Sequence, residues 1–248
     1  MIAASLLLAV TAAFTPPQLV SGDPPGLPPP NVVAGGEVLV EATIDTYGAV
    51  THPVLLRNTP PYGQMVLDAI SRWRFTPARV PAENGVDQVM IDSYVLIAAV
   101  YRPPTVYNGP TVGTAPLDQS RASSETPYPL MMSMPAYPPQ TLLGGVTLLE
   151  VSLDEAGISK GARIVRSSAT FDSAARDAVN QWQFRGASLR SRAVPANVYV
   201  IVGFPQPLGP SSSSVTPPFV GPTTTPVGAP PPMIGGPPPS TGGPSKIP

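Results

Sequence analysis

Two glutamates, Glu41 and Glu150, sit inside the hydrophobic alternations "EVLVEATID" and "VTLLEVSLD". A pair of carboxylates is the smallest set that does general acid–base work, so these are the first residues to weigh. In both stretches the glutamate falls on the side opposite the aliphatic residues, which predicts a solvated sheet face rather than a reacting pair. Little else offers chemistry. The chain has one histidine, His52, and no cysteine. Histidine-based triads and His/Cys zinc sites therefore lack their parts. "GGPPPSTGGPSK" at 235–246 superficially resembles a phosphate loop. The Gly-x4-Gly-Lys-Ser/Thr spacing is absent, however, and no strand precedes it. A formal net charge of −1 supplies no basic cluster to release counterions from phosphate, so nucleic acid is not an expected partner. No catalytic, cofactor-binding or metal-ligating residue is assigned. The expectation is a protein that is not an enzyme.

The elements that carry the glutamates occur twice. "MVLDAISRWRF" ends at Phe75 and "AARDAVNQWQF" at Phe184, and they hold the chain's two tryptophans, Trp73 and Trp182. An offset of 109 residues superposes these stretches, and it also carries Gly35-Gly36 onto Gly144-Gly145 and Glu41 onto Glu150. Asp45 falls on Asp154, Gly48 on Gly157 and Arg57 on Arg166 at the same offset, without a gap from Gly35 to Ala78. Chance matches would scatter over many offsets, so the chain reads as an internal duplication.

Within each copy the local physics is legible. Val38, Val40, Ala42 and Ile44, and in the second copy Leu149, Val151 and Leu153, alternate with period two, as a strand with one buried face does. "DTYG" and "DEAG" follow. The Asp side chain can accept from backbone N–H groups ahead of it and Gly accepts positive φ, which gives Asp45, Gly48, Asp154 and Gly157 a turn role. A return strand comes next. Val66, Ala69, Ile70 and Trp73, matched by Ala175, Ala178, Val179 and Trp182, then form one apolar helical stripe. Trp73, Phe75, Trp182 and Phe184 are expected in the core, with Thr170 and Asp172 as candidate helix caps. "PANVYVIVGF" closes the second copy as a strand. The fold class is α+β: two tandem ββαβ modules, each an antiparallel sheet with one helix on it.

The 37 prolines fall mostly outside these modules. The resulting division is a lead segment 1–15, a proline-rich stretch 16–30, module 1 at 31–101, a proline-rich linker 102–127, module 2 at 128–204 and a tail 205–248. The tail is rich in Pro, Gly, Ser and Thr and is expected to stay disordered. The apolar run Ile2–Phe14 is shorter than the ~20 residues that span a bilayer. It resembles the apolar region of a secretory signal, with small residues Ala12 and Ala13 where a peptidase could cut, although no Lys or Arg precedes it. The alternative is an incomplete membrane helix. Either reading expects periplasm or cell envelope, soluble or anchored in the inner membrane by residues 1–15.

Tyr137-Pro138, Gly145, Asp154 and Gly157, "VRSS" at 165–168 and "FDSAARDAVNQWQF" together resemble the TonB C-terminal domain family. The second copy follows that pattern from about Tyr137 to Phe204. The first is looser, with Asn58-Thr59 in place of Ser167-Ser168 and no Tyr-Pro. The resemblance implies a periplasmic energy transducer that docks an extended segment of an outer-membrane transporter by strand addition and takes its energy from inner-membrane motor proteins. An open sheet edge suits such docking in general. The last strand of module 2, Asn197, Val198, Tyr199, Val200, Ile201 and Val202, is the expected edge, with 89–96 as its counterpart in module 1. Two other readings stay open: a structural envelope protein whose modules bind each other or further copies as a homo-oligomer, and a motor-coupled transducer with a truncated start. His52 cannot stand for the functional histidine that family transducers carry in their membrane helix, because it lies in a return strand before Pro53.

Overall fold

The computed structural model describes residues 14–83, 87–107 and 122–208. The signal-like residues 1–13, most of the proline-rich linker and the tail from 209 onwards lie outside them. The first half runs β1 (Gln18–Ser21), β2 (Gly36–Ile44), β3 (Val50–Arg57), α1 (Tyr62–Ile70), β4 (Arg74–Thr76), β5 (Ala78–Pro81), β6 (Gln88–Ile91) and β7 (Ser93–Tyr101). The second half repeats this order: β8 (Tyr128–Met131), β9 (Gly145–Leu153), β10 (Ser159–Arg166), α2 (Asp172–Val179), β11 (Gln183–Arg185), β12 (Ala187–Leu189), β13 (Arg192–Val194) and β14 (Ala196–Phe204). The strands β2 and β3 map onto β9 and β10 at an offset of 109 residues, the offset that the side chains share.

Each half forms a ββαβ unit with its helix on one face. The two sheets do not stay separate. They join into one six-stranded sheet in the order β10-β9-β14-β7-β2-β3. The neighbours β9/β14 and β2/β7 are antiparallel along their whole length. The seam is parallel, with Val198 opposite Leu96 and so on to Gly203 opposite Tyr101. This order reads the same from either side, and the repeated final strands meet at its centre. The halves are therefore related by a pseudo-twofold axis along the strands, which puts the helices on opposite faces.

The two cores show this directly. On one face Val38, Val40 and Ile44 pack with Tyr62, Val66 and Ile70 of α1, and Leu148, Tyr199 and Ile201 of the second half join them. On the other, Leu149, Val151 and Val200 pack with Phe171, Ala175 and Val179 of α2, joined by Leu39, Leu96 and Val100 of the first half. Each half thus completes the other's core. A fully buried large aliphatic side chain contributes about 1.5–3 kcal/mol. Parting the halves would expose several at once, against a typical domain stability of ~5–15 kcal/mol.

Two local expectations are corrected. The helices stop at Ile70 and Val179, so the Trp-x-Phe residues follow the helix and enter the short strands β4 and β11. Thr170 and Asp172 do not cap α2: Phe171 holds the cap position with no side-chain hydrogen bond, and Asp172 lies in the first turn. The proline-rich stretch 16–30 contains β1, which pairs with β4. β8 pairs with β11 in the same way.

Candidate protein-binding site

Strand addition needs an edge. Asn197–Val202 lies in β14, which has β9 on one side and β7 on the other. It is not an edge, and every residue of the strand is buried. The counterpart 89–96 is split between β6 and β7, and β7 is likewise flanked by β14 and β2. The alternation of β14 marks it as a strand, but neighbours in a sheet are set by long-range packing. The outer strands are instead the return strands β3 and β10. β3 carries Pro53, which has no N–H to offer, and His52 at φ 46°. β10 has no proline, but its register shifts at Ser159/Gly161 and Ile164/Arg166. Its Lys160, Arg163 and Arg166 pair with Asp154, Glu150 and Asp23 at 2.7, 3.1 and 2.8 Å.

The glutamates are buried, not solvated, with 8% of Glu41 and 7% of Glu150 accessible. The face that one half leaves bare is covered by the other half. Glu41 accepts from the Ser123 N–H at 2.9 Å, and Ser123 belongs to the arm leading into module 2. Glu150 faces the arm leading into module 1. Its carboxylate takes the bridge from Arg163 and lies 3.1 Å from the Tyr199 hydroxyl. That hydroxyl also accepts from the Leu19 N–H at 2.9 Å and lies 3.3 Å from the Pro17 carbonyl. Asn197 Nδ2 donates to the same carbonyl at 3.2 Å. Burial pushes the Tyr199 hydroxyl well above the usual tyrosine range, and the neighbouring Glu150 charge pushes it further. The group stays protonated and structural.

The other family-pattern residues also hold the fold. Tyr137 is buried between Phe171 and Phe204 and donates to the Leu143 carbonyl at 2.5 Å. Pro138 follows it beside α2, in a cleft with Ser173 and Asp177. Ser167 Oγ donates to Asp172 at 2.6 Å and the Ser168 N–H does so at 2.9 Å, which ties the return strand to the first turn of α2. Trp73 and Phe75 meet Tyr199 edge-on, across the seam. Trp182 donates to the Ser133 carbonyl at 3.1 Å beside Phe184. Asp45 accepts from the Tyr47 and Ala49 N–H groups, and Asp154 from those of Ala156 and Ile158, while Gly48 and Gly157 adopt φ near +80°.

One residue escaped the sequence reading. Arg102, just past β7, is buried at 4% accessibility. It donates to the carbonyls of Pro135 and Tyr107, and its guanidinium lies 5.8 Å from the Tyr137 ring centre. Burial lowers its pKa from the usual arginine value. An arginine followed by prolines carries no local signal for this role, because Pro135 and Tyr137, which hold it on the far side, lie more than 30 residues away.

The fold defines a class: a small α+β module with one helix on an antiparallel sheet, present twice in one continuous body. Residues 134–205, in the second half of the chain, match the family described as Gram-negative bacterial TonB protein C-terminal. That family consists of TonB-like energy transducers for outer-membrane transport, non-enzymatic proteins of the periplasm and envelope. The first half lies outside the matched residues. No curated protein matches the chain. Among the described residues, no helix is long and apolar enough to cross a membrane.

Proposed function

We propose that this chain is a periplasmic protein-binding element of outer-membrane energy coupling, and that it takes up an extended transporter segment by strand addition. The match of residues 134–205 to TonB C-terminal domains carries this reading. With β14 held between β9 and β7, the docking edge is β10, the outer, proline-free strand of that domain. There an added strand would satisfy backbone groups without opening the seam.

The test is a titration of the labelled full chain with peptides copied from the periplasm-facing ends of the host's outer-membrane transporters, followed by backbone NMR. Shifts at 159–166 are expected. Shifts concentrated at 197–202 would mean that the peptide displaces β7 instead. No shifts at millimolar peptide would end the strand-addition reading.

One observation favours a second reading. The parallel seam β7–β14 occupies both final strands, which is what a structural envelope protein with self-binding modules requires. Such a protein would bind none of the peptides. Coupling to inner-membrane motor proteins belongs to the first reading alone, and co-purification with them from cross-linked envelopes separates the two.

A further inference from the structure

The two outer strands of the sheet differ in charge. At the 109-residue offset Lys160 and Arg163 of β10 fall on Thr51 and Val54 of β3, while Arg166 falls on Arg57. The carboxylates beside them are common to both halves: Asp154 repeats Asp45, and Glu150 repeats Glu41. In the first half backbone N–H groups hold these acids, those of Tyr47 and Ala49 on Asp45 and that of Ser123 on Glu41. The module's fold therefore does not call for a lysine at 160 or an arginine at 163.

Both cations face outward. The Lys160 and Arg163 side chains are 63% and 64% exposed, whereas those of their partners Asp154 and Glu150 are 19% and 9% exposed. Each pair has its acid beneath and its cation outermost. Two exposed acids lie close by, Glu155 in the turn before β10 and Asp23 on Arg166, and both are at the ends of the strand. Arg163 stands in mid-strand, opposite Glu150, and donates to it through one terminal nitrogen. The rest of its planar fork suits a second carboxylate.

A strand added at β10 meets these cations directly. Opposite charges across a strand pair stabilise it, and like charges destabilise it. A second copy adding its own β10 would set cations against cations, which is how edge lysines guard a sheet against self-pairing. β3 carries Pro53 instead. A proline removes a backbone donor whatever strand arrives. A row of one charge turns away like strands and admits an opposite one.

We infer that β10 selects an acidic segment, and that the extended chain it takes up carries Asp or Glu opposite Lys160 and Arg163. The inference rests on the strand addition proposed above. The experiment compares transporter-end peptides that contain Asp or Glu with copies in which each is replaced by Asn or Gln. Affinities for the full chain are taken from backbone shifts at 159–166. The acidic peptides are expected to bind about three- to tenfold tighter at low salt, a preference screened away at ~0.5 M salt. The double variant Lys160→Thr, Arg163→Gln should lose the preference too, with its thermal midpoint verifying that it folds. The amide copies change the peptide alone, so the main comparison does not depend on that variant. Equal binding of the two peptide sets at 159–166 overturns the acidic preference and leaves strand addition standing. A preference that survives both salt and the double variant overturns the assignment to these cations. Absence of binding by either set removes strand addition itself, and this inference with it.

Discussion

Tyr199 shows how a single hydroxyl can tie two repeats together. It accepts from Leu19 and faces both the Glu150 carboxylate and the Pro17 carbonyl, so it joins the strand of one half to the arm of the other. Tyr199→Phe keeps the ring contacts with Trp73 and Phe75 but leaves the Leu19 N–H without its acceptor and Glu150 without one donor. A loss of about 1–3 kcal/mol is expected, read from the urea midpoint. Asp154 holds a simpler place, half-buried in its turn. The hydrogen bond from Lys160, then the N–H of Ile158, the Lys160 charge and the N–H of Ala156, hold its carboxyl below the usual aspartate range. A depressed folded value means that the turn's stabilisation is present above about pH 4, the unfolded aspartate range, and is lost as pH falls through the folded value. Asp154→Asn should therefore lower stability near neutrality, and its difference from the native chain should shrink on acidification. Thermal midpoints measured from pH 7 to pH 2 check both statements.

At the scale of the elements, two glycines of one hairpin separate strain from packing. Gly157 adopts φ +82°, and a Cβ there would lie 2.5 Å from the Gly186 nitrogen and 2.7 Å from the Phe184 carbonyl oxygen. Gly161 has φ +141° at a bulge of β10, and a Cβ there would meet open space. Gly157→Ala combines an unfavourable backbone with a backbone clash and should cost well over ~1 kcal/mol. Gly161→Ala carries the strain alone and should cost less. Equal losses in denaturant unfolding would contradict this account of the hairpin. The same comparison shows why the period-two pattern was enough to place the strands and turns but could not name the edge. Alternation in β14 reports that its residues are apolar on one side. It does not report that Trp73, Phe75 and the arm 14–21 would cover the other.

For the molecule as a whole, the shared cores predict one folding unit rather than two. Far-ultraviolet circular dichroism and tryptophan fluorescence should give coincident urea transitions, although Trp73 and Trp182 sit on opposite faces. Amides of 96–101 and 198–203 should be among the slowest to exchange, opening only with global unfolding. Two separate transitions, or early exchange along the seam, would mean that the halves part more easily than their packing implies.

The repeat, the turn chemistry, the helical stripes and the family pattern of the second half follow from the sequence alone. Each depends on neighbours within a few residues, or on like residues recurring at one offset. The tertiary structure decided the rest: that the final strands pair with each other, that Glu41 and Glu150 are buried by the opposite half, and that Arg102 clamps a distant loop. These are pairings between segments far apart in the chain, chosen by which apolar faces can cover one another. The period of a single strand holds no information about that choice.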